Sequence, residues 1–160
     1  IGEVDTADGP LAMGWELLRV AAEGADPASL RREYNELFIG VGRGEVVPFG
    51  SWYLTGFLME KPLALLRADL ERFGIERQEG VPESEDHVAA LCDAMALIIR
   101  AGEEIPFARQ QAFFAEHLAP WAGRFFEDLQ AAPSADFYRA VGFFGASFIE
   151  VERQLLDMSD

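Results

Sequence analysis

The chain has 160 residues, and half of them are hydrophobic, so it is long enough for one ordinary domain with its own core. Its formal net charge is −15, which argues against nucleic acid and anionic lipid as partners and favours a basic one. The same acidity also fits a purely solubilising role. Cys92 is the only cysteine, so no internal disulfide is expected, and the cytoplasm is the expected compartment.

No apolar run approaches the roughly 18 to 20 residues of a membrane span, so no stable insertion into a membrane is expected. The first ten residues, IGEVDTADGP, lack the basic and apolar regions of a secretory signal. The sequence therefore predicts no export signal of its own.

The apolar residues of the first half recur at helical spacing. They predict a first helix over 10–23 and a second over 27–39, with Asp26 as the N-cap of the second. A longer helix is predicted over 51–73, and Pro62 is expected to kink it or split it in two.

The second half is also helical by pattern. Ser84 is predicted to be the N-cap of a helix whose first turn is acidic. Pro106 is expected to open the next helix, and Pro120 to bend or break it. A turn at Pro133 precedes the last predicted helix.

No segment shows the sustained period-two alternation of a strand, and no internal repeat is visible. The sequence therefore predicts an all-α fold, a single helical bundle that spans residues 1–160. The polar stretch 74–83 is predicted to be a hinge-like loop between an N-terminal and a C-terminal half.

The residue patterns of common active sites are missing. The segment GVGRGE has neither a preceding strand nor the ending of a phosphate-binding loop. Neither His87 nor His117 has a glutamate three residues before it, as a di-iron bundle requires. Asp86 is adjacent to His87, so the two point to different helix faces and make a poor catalytic pair. We expect no catalytic residue and no metal ligand, and Cys92, in an apolar stretch, is predicted to be buried.

Residues 34–53 combine several aromatic rings with glycines and a proline, which interrupts the helical pattern. Each ring taken singly is best explained as core. A loop that only joined two helices could be shorter and more polar. We interpret the glycines as allowing the loop to adapt around a guest segment whose apolar face meets the rings, which are Tyr34, Phe38, Phe49, Trp52 and Tyr53.

Three motifs occur in order along nearly the whole chain. The pattern aromatic-x-x-Leu-Phe-x-Gly, a glycine-bearing loop and Pro-aromatic-x-Ser-x-aromatic is formed by Tyr34, Leu37, Phe38, Gly40, Pro48, Phe49, Ser51 and Tyr53. Pro-Glu-x-x-Asp-His is formed by Pro82, Glu83, Asp86 and His87, and a third motif by His117, Pro120 and Trp121. Together they resemble the TorD/DmsD/NarJ-type family of redox-enzyme maturation chaperones. Val41 departs from it, because many relatives have proline there.

The resemblance implies an all-helical cytoplasmic protein without enzymatic activity and without a cofactor, either a monomer or a homodimer that swaps domains through the hinge. It implies binding of the twin-arginine signal peptide and the apo form of a molybdopterin-dependent oxidoreductase subunit. The chaperone would hold that subunit from export until its cofactor is inserted. The peptide-binding residues so implied are Tyr34, Leu37, Phe38, Gly40, Pro48, Phe49, Ser51, Trp52, Tyr53, Glu83, Asp86 and His87.

The composition is compatible with such a guest, because two arginines followed by an apolar run need an acidic rim beside an apolar groove. Between residues 71 and 86 the chain has two arginines and six acids, which are Glu71, Glu76, Glu79, Glu83, Glu85 and Asp86. The same features also fit a general acidic helical adaptor that binds another basic or amphipathic protein segment. A nucleotide-binding or small-molecule enzyme is a more distant alternative.

Overall fold

The computed structural model describes residues 9–157, and helix is the only extended regular structure within that range. The predicted all-α fold is thereby confirmed. The stretch considered for an export signal lies almost entirely outside the described residues. The helices are α1 (Pro10–Glu23), α2 (Pro27–Tyr34), α3 (Gly50–Thr55), α4 (Lys61–Arg72), α5 (Val88–Arg100), α6 (Phe107–His117), α7 (Ala122–Ala131) and α8 (Phe137–Asp157).

Two compact units divide the chain. The first joins the residues up to Val47 with those from Gly123 on, and the second is Pro48–Ala122. Thus α1, α2, α8 and nearly all of α7 belong to the first unit, and α3 to α6 form the second. The predicted hinge-like loop 74–83 lies within the second unit, and its action as a hinge stays a prediction.

The first unit is built on the contact between α1 and α8. A Cβ atom on Gly14 would lie only 3.0 Å from the Cα atom of Phe144, so the glycine lets the two helices approach closely. Trp15 contacts the ring of Phe144 at a centroid distance of 5.7 Å. The buried apolar residues of this unit are Leu37, Val46, Phe125, Leu129, Ala132, Ala135 and Ile149.

A buried carboxylate caps the N-terminus of α8. Glu33 of α2 accepts backbone hydrogen bonds from Asp136 and Tyr138 at 2.8 Å and from Phe137 at 3.2 Å. The first N–H groups of a helix have no partner within the helix. Glu33 supplies the acceptor that they need and so connects α2 to α8.

The second unit packs α3 against α4, and α6 against α4 and α5. Its buried apolar residues are Leu63, Leu66, Leu70, Leu91, Ala94, Ile98, Ile105, Phe113, Phe114, Leu118, Trp121 and Ala122. In the described part of the chain, none of the helices combines the length and the apolar character that crossing a bilayer requires.

The predicted helix over 51–73 is divided, but not at its proline. The break falls at 56–60, and Pro62 lies in the first turn of α4, where its missing N–H costs nothing. The prediction of Ser84 as a helix N-cap is wrong. Helix α5 begins at Val88 and His87 is its N-cap, with Nδ1 accepting the N–H of Ala89 at 3.1 Å.

The prediction of a buried Cys92 is also wrong, because its side chain is exposed. The apolar face of α5 is formed by Leu91, Ala94 and Ile98, and Cys92 lies one position away from that face. Helical backbone does continue beyond α2 to Ile39 as predicted, but the turn Asn35–Ile39 is π-helical.

Candidate functional site

The segments 48–53 of the first motif and 82–87 of the second motif lie far apart in the sequence and meet in the second unit. The N–H of Val88 donates to the carbonyl of Pro48, and the N–H of Gly50 donates to the carbonyl of Asp86, both at 2.9 Å. The rings of Phe49 and His87 contact each other edge to face at a centroid distance of 5.1 Å. The structure therefore joins both motifs into one local assembly.

The carboxylate of Asp86 holds this assembly together. Its Oδ2 accepts the N–H of Ser51 at 2.9 Å and the hydroxyl of Ser51 at 2.5 Å. Its Oδ1 accepts the hydroxyl of Ser84 at 2.5 Å. Because Ser51 lies in the first turn of α3, Asp86 caps that helix from a distant segment.

The burial of Asp86 changes the predicted acidic rim. The sequence predicts its carboxylate at an exposed rim, whereas only 3% of Asp86 is exposed. Ser51 is fully buried and Ser84 nearly so. Asp86 therefore positions the residues around it from below the surface, and a direct contact with a peptide stays a prediction.

The acidic residues of the segment 71–86 divide into paired and unpaired ones. Glu85 pairs with Arg67 at 2.8 Å. Burial is the largest single influence and by itself would raise the pKa of Glu85. The hydrogen bonds from Arg67 and from its own backbone, together with the charges of Arg67 and Arg77, outweigh burial, so the pKa lies below its usual value. Four exposed acids have no ion-pair partner within residues 9–157. They are Glu71, Glu76, Glu79 and Glu83.

His87 is half-buried, and its ring has a structural role. Burial lowers its pKa below the ordinary value, although the charges of Glu83 and Asp86 act in the opposite direction. The neutral ring keeps Nδ1 free to accept the N–H of Ala89. His87 therefore caps α5 while its ring contacts Phe49.

A cavity of about 330 Å³ opens beside this assembly within the second unit. Ser51 and Asp86 line its inner end, and Leu54 and Leu65 form exposed parts of its walls. Glu116 is an exposed acid that also lines it. The remaining lining residues are Gly50, Thr55, Lys61, Pro62, Leu66, Leu91, His117 and Trp121. The cavity is thus mainly apolar, with a few polar groups, as in peptide and small-molecule sites.

The predicted aromatic residues lie in both units. In the second, Tyr53 stacks on Trp121 at a centroid distance of 5.6 Å, and Trp52 is half-buried. In the first, Phe38 contacts Tyr34 and Tyr138, each at 5.2 Å. None of these predicted rings is fully buried.

Leu37, Gly40, Pro48 and Glu83 complete the predicted set. Leu37 is fully buried and Pro48 is buried, whereas Gly40 and Glu83 are exposed. The structure thus brings together Phe49, Ser51, Asp86 and His87 by direct contact, and it places Tyr34, Leu37, Phe38 and Gly40 in the first unit. The assignment of the set to one peptide site stays a prediction.

The glycine loop that follows Ile39 is closely packed at two of its glycines, and its adaptation around a guest segment stays a prediction. Gly40 has a φ of 57°, and a Cβ atom there would lie 2.2 Å from the carbonyl oxygen of Arg43. A Cβ on Gly44 would lie 2.4 Å from the carbonyl oxygen of Leu37. The N–H of Val46 donates to that same carbonyl at 2.9 Å. These two glycines therefore allow close backbone packing.

Sequence reasoning did not identify the cavity walls. Leu54 and Leu65 lie within the predicted helix over 51–73, and nothing local distinguishes them from core residues. Glu116 directly precedes His117 of the third motif, and that neighbourhood is the one signal that could have pointed to it. Contacts between distant helices determine which of these residues reach the surface.

Among the described residues, Asp69, Glu116 and His117 have potential metal-ligand atoms within 4.8 Å of one another. The Nε2 atom of His117 lies 2.9 Å from Oδ2 of Asp69, and Arg72 pairs with the other carboxylate oxygen. These ordinary polar contacts account for the arrangement, so we assign no metal to it.

Comparisons with known proteins connect these features to a family. Residues 5–127 match the model of the family described as nitrate reductase delta subunit. The chain is 28% identical to the chaperone protein TorD of Aliivibrio salmonicida, covering 79% of this chain and 64% of that protein. It is 26% identical to TorD of Vibrio cholerae strain O395, covering 80% of this chain and 62% of that one.

A third relative is the probable Tat proofreading chaperone DmsD of Haemophilus influenzae, 30% identical over 71% of this chain and 55% of that protein. The chain thus spans less than two thirds of the length of each of these relatives. Because the family match covers most of the chain, the protein belongs to the nitrate reductase delta subunit family, the TorD/NarJ family whose motifs its sequence carries.

Proposed function

We propose that this chain is a cytoplasmic maturation chaperone without enzymatic activity. It binds the twin-arginine signal peptide and the apo form of a molybdopterin-dependent oxidoreductase subunit and holds that subunit until its cofactor is inserted. Support comes from membership of the family and from relatives that are themselves named as chaperones. The net charge of −15 favours a basic guest.

The observation that carries the proposal is the cavity beside Ser51 and Asp86. Its exposed apolar walls offer burial to the apolar part of a leader, and Glu116 offers a carboxylate without an ion-pair partner in the described residues. Burying one large apolar side chain contributes roughly 1.5 to 3 kcal/mol, whereas an exposed ion pair contributes about 0 to 1 kcal/mol. The apolar contact therefore supplies most of the affinity, and charge selects the guest.

A peptide array tests the proposal against the general adaptor. The array displays leader peptides with two adjacent arginines before an apolar run, together with versions in which the pair is changed to lysines or to glutamines. A guanidinium binds a carboxylate through two parallel hydrogen bonds, which lysine cannot reproduce. We expect binding to decrease from arginine to lysine to glutamine. Equal binding of all three would favour the adaptor and contradict the proposal.

A further inference from the structure

The turn between α3 and α4 exposes three consecutive apolar side chains. Phe57 is 68% exposed, Leu58 50% and Met59 78%. Single exposed apolar residues are common on protein surfaces, but a contiguous patch marks an interaction site. We call Phe57–Met59 the apolar turn.

The apolar turn is held in place by hydrogen bonds to α3. The hydroxyl of Thr55 accepts the N–H of Phe57 at 3.2 Å and lies 2.8 Å from the carbonyl oxygen of Ser51. The N–H of Met59 donates to the hydroxyl of Ser51 at 3.2 Å. That same hydroxyl donates to Asp86, so the buried network of the two motifs extends to the turn.

Met59 has a φ of 59°, a left-handed conformation that no other non-glycine residue adopts in the described part of the chain. Such a conformation is unfavourable for a residue with a side chain and persists only where the surroundings fix it. A turn that only connected two helices could use glycine or asparagine there. This one keeps methionine and presents it to solvent.

The surroundings of the apolar turn indicate the chemistry of its partner. Leu54 and Leu65, 40% and 46% exposed, line the neighbouring cavity on the two helices that the turn connects. Glu60 follows the turn, and Glu116 lines the cavity. Neither acid has an ion-pair partner within residues 9–157, and Lys61 is the one cation among the lining residues of the cavity. Apolar surface next to unpaired carboxylates is complementary to an apolar segment with cationic neighbours.

We propose that the apolar turn, together with Leu54 and Leu65, is the docking surface for the apolar run of a client leader, and that Glu60 and Glu116 receive the adjacent cationic side chains. The identity of this occupant rests on the proposed function. In this arrangement Ser51 and Asp86 are positioning residues, because they fix the turn from beneath.

A calorimetric titration of the full chain with an arginine-pair leader peptide tests this inference. The variant is Phe57→Ser with Met59→Ser, and the matched control is Leu97→Ser with Ile99→Ser, two equally apolar residues of α5 that are each 51% exposed. Far-ultraviolet circular dichroism verifies that both variants fold, and Phe57→Ser alone serves as a milder variant. We expect the turn variant to bind about tenfold or more weakly, because it lacks two apolar side chains that the bound peptide would cover, and the control to bind normally.

Two outcomes would overturn the inference and leave the proposed function intact. One is normal peptide binding by the turn variant. The other is a dimer of the unmodified chain in light scattering that becomes monomeric in the turn variant while peptide affinity stays the same, since the turn would then serve contact between copies. If the unmodified chain binds no leader peptide, the proposed function itself fails, and the occupant named here fails with it.

A crosslinking readout locates the contact independently of affinity. A photoreactive residue in the apolar run of the peptide should crosslink within residues 54–65, as read by mass spectrometry of the digested chain. Crosslinks confined to other segments would contradict the docking surface even if the peptide binds.

Discussion

At the scale of single residues, two buried carboxylates cap the first turns of helices that lie far from them in the sequence. Asp86 caps α3 through Ser51, and Glu33 caps α8 through Asp136, Phe137 and Tyr138. An ionised carboxylate loses its hydration on burial, so it is stable there only when its oxygens accept enough hydrogen bonds. Glu33 meets that requirement with three backbone N–H donors, and Asp86 meets it with the N–H of Ser51 and the hydroxyls of Ser51 and Ser84. Both carboxylates thereby tie distant segments together.

Changing Asp86 to asparagine should destabilise the fold. The amide retains one acceptor oxygen but removes the charge and places N–H donors against the donors of Ser51 and Ser84. We expect the free energy of unfolding to fall by about 1 to 3 kcal/mol, measured by urea denaturation. Glu83→Gln is the matched control, because Glu83 is exposed, and it should stay within about 0.5 kcal/mol of the parent. Equal losses in both variants would contradict the capping role.

His87 should make stability fall in mildly acidic solution. Its pKa in the folded chain lies below the ordinary value because burial disfavours the charged ring. As the pH falls through the unfolded-state pKa of about 6.5, the unfolded chain takes up the proton first, so the free energy of unfolding decreases. The stabilisation is fully present above that pH. Urea midpoints at about pH 7.5 and about pH 5.5 measure the effect.

The control for this pH dependence is His87→Asn. Asparagine keeps an acceptor for the N–H of Ala89, because it is itself a good N-cap, and it does not titrate. We expect a smaller loss of stability between the two pH values in this variant. An unchanged loss would show that other groups cause the pH dependence.

At the scale of helices and turns, the conformation of Met59 leads to a specific prediction. Met59→Gly removes the unfavourable left-handed residue and loses little buried surface, because the side chain is 78% exposed. The greater freedom of glycine in the unfolded chain offsets part of the gain, so we expect stability to rise by about 0.5 to 1 kcal/mol. Leu58→Gly, at a position without positive φ, should lower it instead. Thermal unfolding measures the stability of both variants. A loss for Met59→Gly together with a gain for Leu58→Gly would contradict the unfavourable conformation assigned to Met59.

The packing of α7 against α8 depends on the absence of a side chain at Gly145. A Cβ atom there would lie 2.3 Å from the ring of Phe126. Gly145→Ala should therefore lower the free energy of unfolding by about 1 to 3 kcal/mol. Gly123→Ala, with no atom within 4 Å of the added Cβ, should raise it by about 0.5 to 1 kcal/mol. Denaturant titrations of the two variants test the close contact between Gly145 and the ring of Phe126. Similar changes in the free energy of unfolding of both variants would contradict that contact.

The sequence predicted those helix boundaries that local chemistry determines. Pro10, Pro27 and Pro106 mark helix starts because a missing N–H is tolerated in the first turn, and α1, α2 and α6 begin there or one residue later. The start of α5 was missed because Ser84 donates to Asp86, and Asp86 in turn accepts from Ser51, 35 residues away. No pattern within the segment reveals that contact.

At the scale of the whole molecule, the net charge of −15 should influence which peptides bind more than how tightly they bind. Screening shortens the reach of exposed charges from roughly 10 Å at 0.1 M salt to roughly 3 Å at 1 M. Apolar burial is not weakened in this way. We expect a leader peptide to bind less than about tenfold more weakly over that range, as measured by fluorescence anisotropy. Complete loss of binding would mean that charge supplies the affinity.

The motifs predicted the family and the all-α fold, but only part of the geometry of the site. Ser51 and Asp86, which were predicted to bind a peptide, line a cavity, but Asp86 was expected at the surface and is buried. Their contact with a peptide stays a prediction. The apolar turn was not recognised, because its residues lie inside the segment 51–73 that was predicted as one helix, whereas α3 ends at Thr55. Whether a side chain is exposed depends on which helices pack together, and the residues next to it in the sequence do not determine that packing.

Calorimetric titration of the unmodified chain with a leader peptide tests the central claim most directly. The peptide contains two adjacent arginines before an apolar run, and the reference peptide has glutamines in their place. The account predicts saturable one-to-one binding of the arginine peptide, at least about tenfold tighter than that of the reference. Absence of binding, or equal affinity for both peptides, would contradict it.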